Sequence, residues 1–167
     1  KSGAAIIDGP VNARGGIAWS KDPLPGPAST PEEAKAAIRT WMDVGGASTS
    51  LDMLMGYYGP GEDILVYDSF ASNLRGMKEV RAHYAAIMNS YTDIKLEMPN
   101  FVVDSDGVFG VQLDTQRITL SMKDGSTQKL ALRQSDCMRK SGDKWYSFLE
   151  HLSFAVDPKT GQGVVSF

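Results

Sequence analysis

Cysteine occurs once, at Cys137, and histidine only twice, at His83 and His151, in 167 residues. A single thiol closes no internal disulfide and builds no Cys-based zinc site, and it leaves the redox compartment undecided. Two imidazoles cannot make a multi-histidine centre, so no metal site is expected. No apolar run approaches the length of a transmembrane helix, and Lys and Arg do not cluster within a net charge of −3. Neither a membrane nor a nucleic acid is therefore an expected partner. The sequence lacks GxSxG, a P-loop, HExxH, a post-strand GxGxxG and CxxC, so each chemistry that those motifs carry is without its signature. The first residue is Lys1, and the sequence contains no signal-peptide core, which suits a chain trimmed at its start or lacking its signal peptide. A cytoplasmic location is the default expectation, with a periplasmic or secreted one left open by a start compatible with trimming.

What is present is the composition of one globular domain, 42% apolar and 22% charged, with eight Met and three Trp. Residues 1–30 differ from the rest. Gly9-Pro10, Gly15-Gly16 and Pro23-Leu24-Pro25-Gly26-Pro27 oppose regular structure, so the segment reads as an N-terminal extension. Thr30-Pro31-Glu32-Glu33 then supplies an N-cap, a Pro at the first helical position and a capping-box Glu. Ala34, Ile38, Trp41 and Met42 recur at helical spacing up to Gly45-Gly46. A second, short helix begins around Ser48 to Ser50 and stops at Gly59-Pro60-Gly61. Ile64 to Tyr67 reads as a strand, followed by a loop to Gly76. A third helix is expected over about Met77 to Tyr91.

Beyond it the hydrophobic period changes to two. Segments 93–104, 108–122, 127–140 and 144–156 are separated by Asp104-Ser105-Asp106-Gly107, Lys123-Asp124-Gly125-Ser126 and Ser141-Gly142-Asp143. These are hairpin signals and predict an antiparallel meander. Pro99-Asn100 marks a bulge or bend in the first long strand. Helices first and long strands afterwards predict an α+β fold, with about three N-terminal helices packed on one face of a strongly bent antiparallel sheet.

Candidate functional residues are scattered. His151 is the leading one, since imidazole moves protons near neutral pH, although a hydrogen-bonded structural histidine fits the same pattern. Asp68 follows the Ile64-Leu65-Val66-Tyr67 strand, where function often sits and where an Asx-turn is equally natural. Asp43 closes the first helix against the helix dipole, which points to a partner, a role or simple solvent exposure. His83, between Val80 and Ile87, reads as an edge-of-core histidine. Asp114, Arg117, Arg133 and Asp136 lie mid-strand, on either a solvated face or a polar cavity. Trp41, Tyr58, Tyr67 and Tyr84 suit a pocket wall or plain core.

The stretches AIRTWMDVGGASTSLDMLMGYYGPGEDILVYDS, LRGMKEVRAHY and LRQSDCMRKSGDKWYSFLEHLSFAVDP, in this order, resemble the nuclear transport factor 2-like superfamily. The likeness is to its SnoaL-like and ketosteroid-isomerase-like members, and it spans residues 31–158, leaving 159–167 as a C-terminal tail. The closing strand of such proteins often reads W-x-x-x-H-E-H-x-S-x-P. Glu150, His151 and Ser153 match, whereas Leu149 and Ala155 depart from it. Ser153 stands where the polyketide cyclases keep an acidic Asp, which argues against a cyclase.

The resemblance implies a cone-shaped, barrel-like fold whose helices cover a concave sheet around a pocket for a small apolar or aromatic molecule. It implies a cofactor-independent isomerase, dehydratase or other lyase working by acid/base chemistry; the alternative is a non-catalytic small-molecule-binding or assembly domain. In the enzyme reading His151 is the general acid or base, and Asp68 or Asp43 orients it. Trp41, Tyr58 and Tyr84 form the walls, while Arg133 and Ser153 contact substrate. Alternation along the last strand then turns His151 and Ser153 to the pocket and Glu150 to the outer face. The convex face of such sheets commonly pairs with a second copy, so a homodimer is expected.

Overall fold

The computed structural model describes residues 28–44, 46–59, 63–70 and 73–166. The extension read over residues 1–30 lies outside these up to residue 27, as does the Pro60-Gly61 stop signal. Helix α1 (Pro31–Val44) starts where the capping box predicts. The Glu33 backbone N–H donates to Thr30 Oγ1 at 3.2 Å, and the Thr30 N–H donates to Glu33 Oε2 at 2.8 Å. Two otherwise orphaned donors are thus satisfied reciprocally. One face of α1 buries Ala34, Ile38 and Met42 completely or nearly so; cutting Ile38 to Ala would cost about 2–5 kcal/mol. Helix α2 (Leu51–Met55) is capped by Ser50, whose hydroxyl accepts the Met53 N–H.

Helix α3 (Gly76–Met88) ends earlier than its periodicity suggests. Ser90 closes a turn on the Ile87 carbonyl, and Tyr91, read as helical, instead opens a strand paired with Met122. Among the described residues no helix is long and apolar enough to cross a membrane.

Six strands form one sheet. They are β1 (Leu65–Tyr67), β2 (Asn73–Arg75), β3 (Tyr91–Ser105), β4 (Phe109–Met122), β5 (Thr127–Ser141) and β6 (Lys144–Ser153). The order β2-β1-β6-β5-β4-β3 makes β3 to β6 the expected antiparallel meander. The sheet as a whole is mixed, because β1 runs parallel to β6. Strand β2, read as loop, pairs antiparallel with β1 and makes one edge. The sheet is strongly curled but unclosed, and the helices cover its concave face, giving the cone-like fold. Gly107, at φ +95° in the β3–β4 turn, has a second constraint. Its carbonyl accepts the Ser29 N–H, and a Cβ there would meet the Ser29 oxygen at 1.9 Å.

Of three register shifts among the described residues of the sheet, one opens β3 between Tyr91 and Asp93 and two lie further along the strands. One falls between Glu97 and Asn100 of β3, as Pro99-Asn100 predicts. The other was not foreseen: Cys137 faces Leu149 but Met138 faces Ser147, so Phe148 is an extra residue in β6. At this point the segment after α2 is stitched to the sheet. The Ser147 N–H donates to the Tyr57 carbonyl at 2.8 Å, and the Gly59 N–H donates to the Ser147 carbonyl at 3.1 Å. The C-terminal tail folds back as a hairpin, β7 (Ala155–Val156) with β8 (Gly163–Val164), and the Ala131 N–H holds the Val165 carbonyl.

Candidate active site

The bulge in β6 decides what the cavity contains. On its N-terminal side the odd residues Trp145 and Ser147 point inward and are buried; beyond it the even residues, buried Glu150 and half-buried Leu152, line the cavity. One inserted residue exchanges the two faces of a strand. The expectation for the closing strand is therefore reversed. His151 is exposed and lies edge-on to Tyr67 outside the cavity, and Ser153 does not line it either. Glu150 does, at 3% exposure.

Helices and sheet part to leave a cavity of about 140 Å³. Trp41 and Met42 of α1, Ile87 and Met88 of α3, and Leu130 and Leu132 of β5 supply much of its apolar wall. Trp41 stacks on Tyr57, with ring centroids 4.0 Å apart, and the series continues through Tyr58 to Tyr84. The polar end is organised on Glu150. Its Oε1 accepts the Tyr84 hydroxyl at 2.6 Å, and its Oε2 accepts the Tyr58 hydroxyl at 3.0 Å and Gln134 Nε2 at 3.1 Å. Gln134 is itself held by Gln116 Nε2 from β4.

Burial pushes the Glu150 carboxyl up to about 7, helped by the negative charges of Asp68 and Asp114 and opposed by the two tyrosine hydrogen bonds. Burial, with the Glu150 charge behind it, also holds both tyrosine hydroxyls well above their ordinary range, so they remain donors. An acid titrating near neutrality and held in place by three donors can take up or release a proton.

Asp68 also lines the cavity. Its Oδ1 accepts the Phe70 N–H at 2.7 Å, the Asx-turn anticipated for it, while Oδ2 lies 3.4 Å from His83 Nε2. A histidine and an aspartate therefore do meet beside the cavity, but the histidine is His83 of α3 and not His151. Asp43 is exposed and paired with Arg39 one turn earlier, at 3.1 Å, far from any role at the cavity's polar end. Arg133 is exposed as well and donates to the Phe154 carbonyl at 2.9 Å. Trp41, Tyr58 and Tyr84 line the cavity.

A second polar layer lies behind Glu150. Asp136 and Asp114 face inward, whereas Arg117 and Arg133 face out, so the mid-strand charges divide by strand parity. The Ser147 hydroxyl donates to Asp136 at 3.1 Å, and Tyr57 donates to Gln112, which donates to Asp114 at 2.8 Å. Burial pushes Asp114 up to about 6 against the hydrogen bonds of Gln112 and Gln116. Burial and then the Glu150 charge push the Asp136 carboxyl well above its ordinary range. The signal for this layer was in the sequence: Gln112, Asp114 and Gln116 share parity with Leu120, and Gln134 and Asp136 with Leu130 and Leu132.

A family model, the SnoaL-like domain, matches residues 34–157. The chain belongs to this family. Among solved structures it is similar to a nuclear transport factor 2-like protein of unknown function from Pseudomonas putida KT2440. That chain is 20% identical with a TM-score of 0.68, over 83% of this chain and 99% of the other. A proposed dehydratase of the same superfamily from Streptomyces avermitilis is 18% identical, TM-score 0.64, over 75% and 96%. A proposed aromatic ring hydroxylase from Novosphingobium aromaticivorans is 17% identical, TM-score 0.65, over 77% and 94%. At these identities the likeness shows the fold. No curated protein matches the chain. Within this SnoaL-like domain, Glu150, Tyr58, Tyr84, Gln134 and the Asp68–His83 pair make up the polar end of the cavity.

Proposed function

We propose that the protein is a cofactor-independent lyase or isomerase that moves a proton on a small ring compound, with Glu150 as the acid/base group. The observation that carries this is the buried Glu150 carboxyl, held by Tyr58, Tyr84 and Gln134 at the polar end of an apolar cavity and poised at about 7. A carbon acid bound against it loses its proton to Oε1, whose second lone pair is the one left beside the Tyr84 bond. The C–H electron pair moves into an adjacent carbonyl, and as Glu150 loses its charge on protonation the Tyr58 or Tyr84 hydroxyl swings from the carboxyl to donate to the developing oxyanion. The proton on Glu150 then returns to another carbon, an isomerisation, or leaves with a hydroxyl as water, a dehydration. The dehydratase name of one structural neighbour supports the second outcome.

The test is proton exchange and water loss, followed by NMR in deuterated buffer, across a panel of ring ketones and hydroxylated ring ketones. Glu150→Gln keeps shape and removes the base, so a turned-over panel member should slow by about 100-fold or more. Equal rates for the two proteins would end the proposal.

We further propose a homodimer through the outer sheet face. Val102 and Leu113 are direct cross-strand partners, 57% and 49% exposed, and Val111 continues the row. A contiguous apolar strip of this kind suits burial against a second copy.

A further inference from the structure

The charges at the cavity are unbalanced. Two carboxylates, Asp68 and Glu150, line one small apolar space, and among its described lining residues there is no Lys or Arg. The Asp68 charge already acts on Glu150 as a repulsion. Around the pair stand Tyr58, Tyr84 and His83 from the helical side and Asp114 and Asp136 from the sheet, and His83 alone can carry positive charge. His83 Nε2 faces Asp68 across 3.4 Å and has no hydrogen-bond partner of its own. Phe70 and Tyr84 line the same cavity as Asp68, and the Tyr84 ring lies edge-on to His83. An ammonium group binds well where a carboxylate and aromatic faces converge. The volume, about 140 Å³, is that of a site for one benzene-sized ring.

We infer that the substrate is a single-ring compound bearing a protonated nitrogen, which docks on Asp68 while the reacting carbon meets Glu150. The inference rests on the proton-transfer role proposed for Glu150 and adds the substrate class. A cation on Asp68 cancels the repulsion that Asp68 exerts on Glu150, so binding releases a proton and readies Glu150 as a base. Anionic rings are rejected by both carboxylates.

Three isosteric probes test it on the full chain: benzylamine, benzyl alcohol and benzoate, by titration calorimetry in buffers of different ionisation enthalpy. Benzylamine should bind at least about tenfold tighter than benzyl alcohol, with proton release, and benzoate should not bind. Asp68→Asn keeps the oxygen that accepts the Phe70 N–H and should bring benzylamine down to the affinity of the alcohol for the same variant. Equal or tighter binding of the alcohol or benzoate, binding of none of the three, or an amine preference that survives Asp68→Asn each overturns the inference. Lost amine preference with Glu150-dependent exchange intact overturns the substrate class alone. Intact amine preference with exchange indifferent to Glu150→Gln overturns the proton-transfer role, and with it the part played by Glu150 here.

Discussion

Asp136 and Glu150 are direct cross-strand partners on β5 and β6, and both carboxyls are buried, at 2% and 3% exposure. Two neighbouring carboxylates cannot both be charged in such a place, so the pair divides the work. Burial and the Glu150 charge push Asp136 well up, while burial brings Glu150 to about 7. A neutral Asp136 predicts that Asp136→Asn is tolerated, since an amide replaces a carboxylic acid of the same shape. Unfolding in urea near neutral pH should place it within about 1 kcal/mol of the parent. A loss several times larger would mean that Asp136 is charged and paired.

Stability should fall as pH rises. Glu150 and Asp114 are pushed up from 4.5 to about 7 and from 3.8 to about 6, so the folded chain binds protons more tightly than the unfolded one. Their contribution is complete below the unfolded values and is lost as pH rises through the folded ones. For Glu150 the loss is on the order of 3 kcal/mol, at ~1.4 kcal/mol per unit. Denaturation at about pH 5 and about pH 8 checks the direction, and Glu150→Gln should flatten the profile. A protein more stable at the higher pH would contradict it.

Deleting Phe148 removes the extra residue of β6. Strict alternation then sets either Ser147 and Trp145 or Glu150 and Leu152 on the wrong face. The deletion should unfold the domain or lower its stability by about 3 kcal/mol or more, because a buried carboxylate loses three donors or a buried Trp is expelled. Intrinsic Trp fluorescence and urea titration read the result.

His151→Ala should leave turnover unchanged on any substrate found, since the ring is exposed outside the cavity. His83→Ala, which removes the partner of Asp68, should alter it. The reverse pattern would move the chemistry to the outer face.

Leu113→Glu sets a charge in the exposed apolar strip beside Val102. Light scattering on the eluted protein should find a dimer for the parent and a monomer for the variant, with circular dichroism unchanged. A monomeric parent would remove the outer face as a self-interface.

What could be read beforehand was local. The Thr30 to Glu33 box, the Gly-containing turns and the Pro99-Asn100 bulge each act within a few residues, and each is where its pattern predicts. Strand β2 needs β1 as a partner, and the parallel β1–β6 contact joins segments far apart in sequence, so neither had a local cue. The site failed for one reason above all. Parity carried His151 to the cavity and Glu150 away from it, and a single extra residue in β6, Phe148, inverted the count. Tyr58 and Tyr84 were legible as wall residues, but their hydroxyls became donors to Glu150 only once that inversion is known.

The stitching of Tyr57 and Gly59 to Ser147 bears on how this family can diversify. Glu150 stands three residues from the stitch on one strand, and Tyr58 lies within it on the other segment. Glu150 and one of its hydrogen-bond donors are thus measured from a common origin. Insertions between Gly59 and Asp63, or at the β3–β4, β4–β5 and β5–β6 turns, change chain length without altering that measurement. Lengthening the chain between Ser147 and Glu150 cannot. Loop variation there can therefore change the length of the chain while Glu150 and Tyr58 stay in register.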